Sequence, residues 1–220
     1  MQNKFDTIIF DLDGTLLNTL DDLTDSINAA LLRCGYPTHT TAEVRRFIGN
    51  GAEMLVRRAL APVDDDQAVK QVLTVFSDVY GQNMKNKTAP YSGINDVLAL
   101  FKQNGIKMAV VSNKPHFAVV PLIADYFGQY IGTAIGADEN THEKPDPTGT
   151  LKALAALGSA KERTVYMGDS NVDIFTAKNA GLFALGCSWG FRDRDELLAA
   201  GADMVIDSPD ELPALFGLKL

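Results

Sequence analysis

Residues 7–19 read TIIFDLDGTLLNT. An apolar, β-branched run opens the stretch, the pattern of a short buried strand. Two aspartates flanking one leucine close it, and glycine and threonine follow at once. In an extended strand side chains alternate with period two, so Asp11 and Asp13 are expected to lean toward the same face. Like unit charges about 4 Å apart cost about 4 kcal/mol at an effective dielectric near 20. Paired carboxylates at a buried strand end therefore call for a chemical reason.

Working outward, the strand (about 6–11) leads into helix rather than a second strand. Leu20, Leu23, Ile27, Leu31 and Cys34 recur at spacings of three and four, and Gly35 and Pro37 stop that helix. TTAEVRRFIGNGAEMLVRRAL reads as two short helices joined at Gly49–Gly51. Val69, Val72, Leu73, Phe76 and Tyr80 mark a longer helix, with Asp64, Asp65 and Asp66 suited to its positive end. After APYSG, short apolar strands (KMAVVSN, IGTAI, TVYMGDS, LFALGC, MVI) alternate with helices. That alternation predicts an α/β fold with a parallel, Rossmann-like sheet covered on both faces, where ligands bind beyond the carboxyl ends of the strands. The expected division is a catalytic core of residues 1–15 and 86–220, with an all-helical module, 16–85, inserted after the first strand.

Length and an apolar content of 46% allow a proper core, so disorder is not expected. A net charge of −8 argues against nucleic acid as the main partner, because phosphate-backbone binding needs clustered Lys and Arg. Cys34 and Cys187 lack metal-ligand spacing and fit a reducing compartment. The N-terminus shows no signal-peptide h-region and no apolar run reaches 18 residues, so no membrane span and a cytoplasmic location are expected.

Polar residues gather at the ends of the expected strands: Asp11, Asp13, Gly14 and Thr15 after the first, Ser112 and Asn113 after MAVV, and Gly168, Asp169 and Asp173 after TVYM, with Lys144 in the EKPDP loop. Each alone has a bland reading as a turn or cap residue, and Lys144 alone reads as a solvated surface lysine. Their order along one sheet edge makes the set specific. Four aspartates converging with one lysine require a cation, and oxygen-only ligands favour Mg²⁺. One carboxylate of the first pair then suits a nucleophile and the second an acid, then base. Ser112, Asn113, Thr15 and backbone N–H groups of the Gly14 turn suit a phosphoryl group, with Lys144 offsetting charge.

DLDGTL (11–16), SN (112–113), Lys144 and GDSNVD (168–173) resemble the four motifs of the haloacid dehalogenase superfamily, over essentially the whole chain. The resemblance implies Asp11 as nucleophile forming an aspartyl-phosphate and Asp13 as general acid/base. It implies Mg²⁺ held by the carboxylates of Asp11 and Asp169 and the carbonyl of Asp13. Ser112 and Lys144 would hold the phosphoryl group, and Asp173 would orient the metal shell or Lys144. The implied strand order is 5-4-1-2-3, with a helical cap whose Gly49–Gly51 loop would face the active site and select the leaving group; on the residues alone that loop reads first as a plain helix–helix turn. FIGNGAEMLVRRAL and GCSWGF are further similar to phosphoglycolate phosphatases, so the expected substrate is 2-phosphoglycolate or a similar small phosphorylated metabolite, and the expected assembly a monomer or small homo-oligomer. A hexose-phosphate mutase shares the core motifs and stands second. A phospho-aspartate signalling module is disfavoured by Asp13, since an acid/base speeds acyl-phosphate hydrolysis. Dehalogenase chemistry needs an Asp nucleophile but no Mg²⁺ cluster and leaves Asp13 unexplained, and a phosphonate hydrolase using an imine needs a better placed lysine than Lys70, Lys85 or Lys87. Arg45, Arg46, Arg57 and Arg58 read mostly as solvated helix-face charges, Trp189 as core packing or pocket wall, and His39, His116 and His142 as exposed loop or helix residues.

Overall fold

The computed structural model describes residues 5–139 and 141–219. In chain order its elements are β1 (Thr7–Phe10), β2 (Leu17–Asn18), α1 (Leu20–Arg33), α2 (Thr41–Phe47), α3 (Gly51–Leu60), α4 (Asp66–Asn83), β3 (Ala89–Pro90), α5 (Ile94–Gln103), β4 (Lys107–Pro115), α6 (His116–Phe127), β5 (Thr133–Ala137), α7 (Thr148–Leu157), β6 (Thr164–Gly168), α8 (Asn171–Ala180), β7 (Phe183–Cys187), α9 (Arg194–Ala199), β8 (Met204–Ile206) and α10 (Leu212–Leu215). No helix among the described residues is long and apolar enough to cross a membrane.

The chain divides into two compact units. One runs up to Leu17 and resumes at Pro90; the other is Asn18–Ala89. The expected boundaries, after 15 and after 85, fall a few residues earlier, and hydrogen bonds account for the difference. The N–H groups of Leu16 and Leu17 both donate to Leu12 O (3.0 Å each), which ties them to the core. Lys87 N and Thr88 N donate to the Asp22 carboxylate (3.0 and 2.8 Å), which ties the return segment to α1. Residues 1–4, part of the expected core, lie outside the described residues.

In the core unit six parallel strands form one sheet, ordered β5-β4-β1-β6-β7-β8. Counted over these strands alone the order is 6-5-4-1-2-3. The expected 5-4-1-2-3 therefore needs one correction: MVI, recognised as a short strand but left out of the order, adds a sixth at the edge. Three residues suffice because Asp203 pins the strand from its side. Its N–H donates to Ala184 O and its carboxylate accepts from Ala184 N, each at 2.8 Å. β1 and β6 are buried at every position, as central strands covered on both faces must be. Ile9, Val111, Tyr166, Ala184 and Val205 of the sheet share one apolar cluster with Ala153, Leu154, Ile174, Ala177 and Leu197 of α7, α8 and α9. A separate aromatic cluster joins Phe101 of α5 to Phe216 (ring centroids 4.7 Å) and Phe5 to Phe216 (6.1 Å).

The second unit packs α1 against α4, and α3 against α4, through Leu23, Ile27 and Leu31, Val56 and Leu60, and Val72, Phe76 and Tyr80. Asp65 N-caps α4 by accepting from Gln67 N, as the acidic run anticipated. Asp22 is buried and accepts four hydrogen bonds from Lys87 and Thr88, including Thr88 Oγ1 at 2.8 Å. Asp22→Ala removes the buried acceptor of two backbone N–H groups and a hydroxyl, so a loss of about 2 kcal/mol is expected in urea unfolding. A change below the error of that titration would remove Asp22 as the tie between α1 and the return segment.

Candidate active site

β1 ends at Phe10, and the chain then turns. Asp11 N still donates to Met167 O (2.8 Å), but Leu12 O receives Thr15 N, Leu16 N and Leu17 N, and Gly14 N donates to Leu17 O (2.9 Å). Gly14 holds φ +83°, and a Cβ there would run into the Asp169 carboxylate. Glycine is required on both counts. This geometry corrects the period-two expectation for Asp11 and Asp13. Both lie past the end of the strand, and the turn sends their carboxylates to two different lysines.

Asp11, from the end of β1, Asp169, from the end of β6, and Asp173, from the first turn of α8, are all buried. They offer carboxylate oxygens within 4.8 Å of one another. Lys144 Nζ lies 2.8 Å from Asp11 Oδ1 and 2.7 Å from Asp173 Oδ1. It is no solvated surface lysine: its side chain is 4% exposed. Asp173 is fully engaged, with Oδ1 on Lys144 and Oδ2 accepting from Ser170 N (3.0 Å) and Ser170 Oγ (2.6 Å). Asp169 Oδ2 accepts from Phe191 N (2.6 Å) and Oδ1 from Thr15 Oγ1 (3.4 Å). Asp11 Oδ1 differs. Lys144 pairs with it off the hydrogen-bonding direction, so this buried oxygen has no hydrogen-bonded partner. Three buried carboxylates against one ammonium, all oxygen donors and one of them without a hydrogen bond, fit a hard divalent cation.

The remaining expected residues are arranged differently from one another. Asp13 is outside the carboxylate cluster, with Lys114 Nζ at 2.7 Å from Oδ1 and 2.8 Å from Oδ2. Ser112 Oγ accepts from Lys114 N at 3.2 Å. Asn113 engages the Lys144 backbone at both ends of its amide, accepting from Lys144 N (2.6 Å) and donating to Lys144 O (3.1 Å). Its observed partner is thus the lysine-bearing loop. Thr15 is fully buried with its hydroxyl on Asp169, and its carbonyl accepts from the Trp189 indole N–H (3.1 Å). Lys114 was missed in the sequence. β4 extends through SNKP to Pro115, so the strand end that carries Ser112 and Asn113 also carries Lys114; a longer reading of that strand would have found it.

Burial foremost, then the charge of Asp173, pushes the Asp11 carboxyl up to about 7, against the pull of Lys144. Burial, then Asp173 and Asp11, holds Asp169 well above the carboxylate range. For Lys144 burial works downward, but Asp11 and Asp173 outweigh it and keep the ammonium well above the ordinary lysine value. The raised Asp11 value has a consequence for stability. Above the unfolded carboxyl value of about 4, the folded state keeps a proton that the unfolded chain has released, so stability falls as pH rises through 7. Chelated protein is expected to melt lower at pH 8 than at pH 5.5, with Asp11→Asn reducing that difference. An equal pH dependence in wild type and variant would contradict the burial of an ionising Asp11.

In the helical unit, Arg57 pairs with Glu53 and Asp66, while Arg58 donates to Phe47 O and Asn50 Oδ1 (2.6 Å each). Arg58 thus braces the loop that enters α3 and is more than a solvated charge. His39 is half-buried, with Nε2 on Ala59 O (2.7 Å), whereas His116 and His142 are exposed as expected.

Residues 8–187 match the family model for the haloacid dehalogenase-like hydrolases. The phosphoglycolate phosphatase of Pseudomonas putida is 35% identical over 206 residues, 91% of this chain and 75% of that protein. Phosphoglycolate phosphatase 1 of Pseudomonas aeruginosa is 34% identical over 93% of this chain and 77% of its own length. A solved structure from Lactobacillus delbrueckii subsp. bulgaricus, provisionally named a phosphoglycolate phosphatase, superimposes with TM-score 0.94 at 33% identity, covering 98% of this chain and 100% of that one. With its four motif regions brought to one edge of the sheet, the chain belongs to the haloacid dehalogenase-like hydrolases and is a phosphatase.

Proposed function

We propose that the enzyme hydrolyses a small phosphomonoester, 2-phosphoglycolate or a close analogue, in two steps through an aspartyl-phosphate on Asp11, with Mg²⁺ as cofactor. The observation that carries this reading is the separation of the two aspartates: Asp11 in the buried cluster with an oxygen that accepts no hydrogen bond, Asp13 outside it on its own lysine. In the first step an Asp11 carboxylate oxygen attacks phosphorus, the ester P–O bond breaks, and protonated Asp13 gives its proton to the departing alkoxide. In the second step a water attacks the phosphorus of the acyl phosphate, Asp13 accepts its proton, and inorganic phosphate and the Asp11 carboxylate are released. Asp11 and Asp169, with the carbonyl of Asp13, would hold the cation, which supplies charge neutralisation for the phosphoryl group as the anionic nucleophile approaches. Lys144 offsets further charge, Asp173 and Asn113 keep it in place, and Ser112 and Thr15 line the phosphoryl side. The names of the relatives support 2-phosphoglycolate. Cys34 and Cys187, free of a disulfide, suit a cytoplasmic enzyme, and the net charge of −8 suits a small-metabolite substrate over nucleic acid; the expected assembly is a monomer or small homo-oligomer.

The test is phosphate release with Mg²⁺ across 2-phosphoglycolate, sugar phosphates, nucleotides and pyrophosphate. A large kcat/KM preference for 2-phosphoglycolate is expected. Broad hydrolysis without preference would keep the chemistry and remove the substrate assignment; no release from any compound would remove both.

A further inference from the structure

Lys114 is a buried cation for which the two-step chemistry above has no role. Its side chain is 4% exposed, and its ammonium meets both carboxylate oxygens of Asp13, itself largely buried at 14%. The pair joins the segments that follow β1 and close β4. Asp13 belongs to the turn after β1, where its neighbour Gly14 has φ +83°. Lys114 sits at the carboxyl end of β4, past the last residue paired with β1 (Phe10↔Val110) and just before Pro115, which pairs with Ala137 of β5. Ser112 Oγ takes the Lys114 N–H, so the backbone that bears the lysine is held as well. A two-pronged contact from a strand residue restricts the Asp13 carboxylate to one orientation, which a turn residue with two free side-chain torsions would not keep by itself.

We propose that Lys114 is the positioning residue of Asp13: it aims the Asp13 carboxyl at the oxygen of the departing alkoxide, and later at the attacking water. The inference rests on Asp13 acting as acid and base. Two other functions for the same lysine make different predictions. A lysine present only to offset charge affects all substrates alike, and a lysine that reads a substrate carboxylate affects only substrates that carry one.

Leaving groups separate these. Alkyl phosphates need a proton on the departing oxygen, so kcat/KM, which covers the steps up to its departure, depends on a well-aimed acid. Activated phosphates such as p-nitrophenyl phosphate and acetyl phosphate expel stable anions and do not. Lys114→Met, which keeps volume, and Lys114→Arg, which keeps the cation, are to be compared with Asp13→Asn and with the double variant Lys114→Met/Asp13→Asn. Far-UV circular dichroism checks that each is folded. Lys114→Met is expected to lower kcat/KM about 10²-fold on alkyl phosphates, with or without a substrate carboxylate, the cost of a reacting group displaced by about an ångström. The expected loss on activated phosphates is small, and Lys114→Arg recovers part of the alkyl rate. In the Asp13→Asn background Lys114→Met should add nothing, because its target is already gone. An equal loss on both substrate classes, a loss confined to carboxylate-bearing substrates, or full additivity with Asp13→Asn would each overturn the proposal. If Asp13→Asn itself shows no leaving-group selectivity, the acid/base reading beneath it fails instead, and the positioning proposal fails with it.

Discussion

Asp11→Asn is expected to abolish phosphate release, by at least about 10⁴-fold, while leaving the fold intact. Losing a covalent nucleophile removes the step itself, and in enzymes of this kind the residual rate comes only from binding and electrostatics. The fold should tolerate the change, because amide and carboxylate have nearly the same shape and the substitution takes a charge out of a crowded place. Asp11 shares its surroundings with Asp169 and Asp173, and the Lys144 ammonium pairs with its carboxylate. Metal-free Asp11→Asn protein should accordingly melt no lower than wild type at pH 8. Turnover within tenfold of wild type would sink the nucleophile assignment. A large drop in melting temperature would instead mean that Lys144 needs the Asp11 charge to stay buried.

Removal of divalent metal is expected to bring turnover to background, and Mg²⁺ to restore it. Burial holds Asp11 and Asp169 toward their neutral forms, and a bound cation reverses that preference by favouring the ionised pair. The same cation should stabilise the fold, by about 2.7 kcal/mol at a concentration a hundred times its dissociation constant. Trp189, the single tryptophan of the chain, gives a readout apart from activity. Its indole N–H bonds Thr15 O, and the Thr15 hydroxyl bonds Asp169, so titrating Mg²⁺ should change its emission. Asp169→Asn should weaken that titration together with activity. Turnover that persists in chelator, with no shift in melting temperature on adding Mg²⁺, would sink the metal site.

Much of this was legible in the chain because strand and helix periodicities are local. A four-residue apolar run, a GNG break between two amphipathic helices, and Gly35 just past the end of α1 each mark structure within a few residues of themselves. Asp11, Asp169, Asp173 and Lys144 could be gathered from sequence because a parallel sheet puts every strand's carboxyl end on one edge. Their partners were less legible. Nothing in EKPDP announces a buried lysine, since its burial depends on Asp11 and Asp173, which are far away along the chain. Asn113 could be placed at the edge, but not on the Lys144 backbone.

The sequence by itself determined the order of strands and helices, the insertion of a helical unit after β1, and the set of oxygen ligands that makes a hard cation the natural occupant. Only the tertiary structure decided how charge is distributed among those residues. It took Asp13 out of the carboxylate cluster and put it on Lys114, left one Asp11 oxygen without a hydrogen bond, and added β8 at the edge of the sheet. The physical reason is range. Periodicity and turn chemistry act between neighbours in sequence, whereas burial and ion pairing act through space between residues 101 positions apart, as Asp13 and Lys114 are.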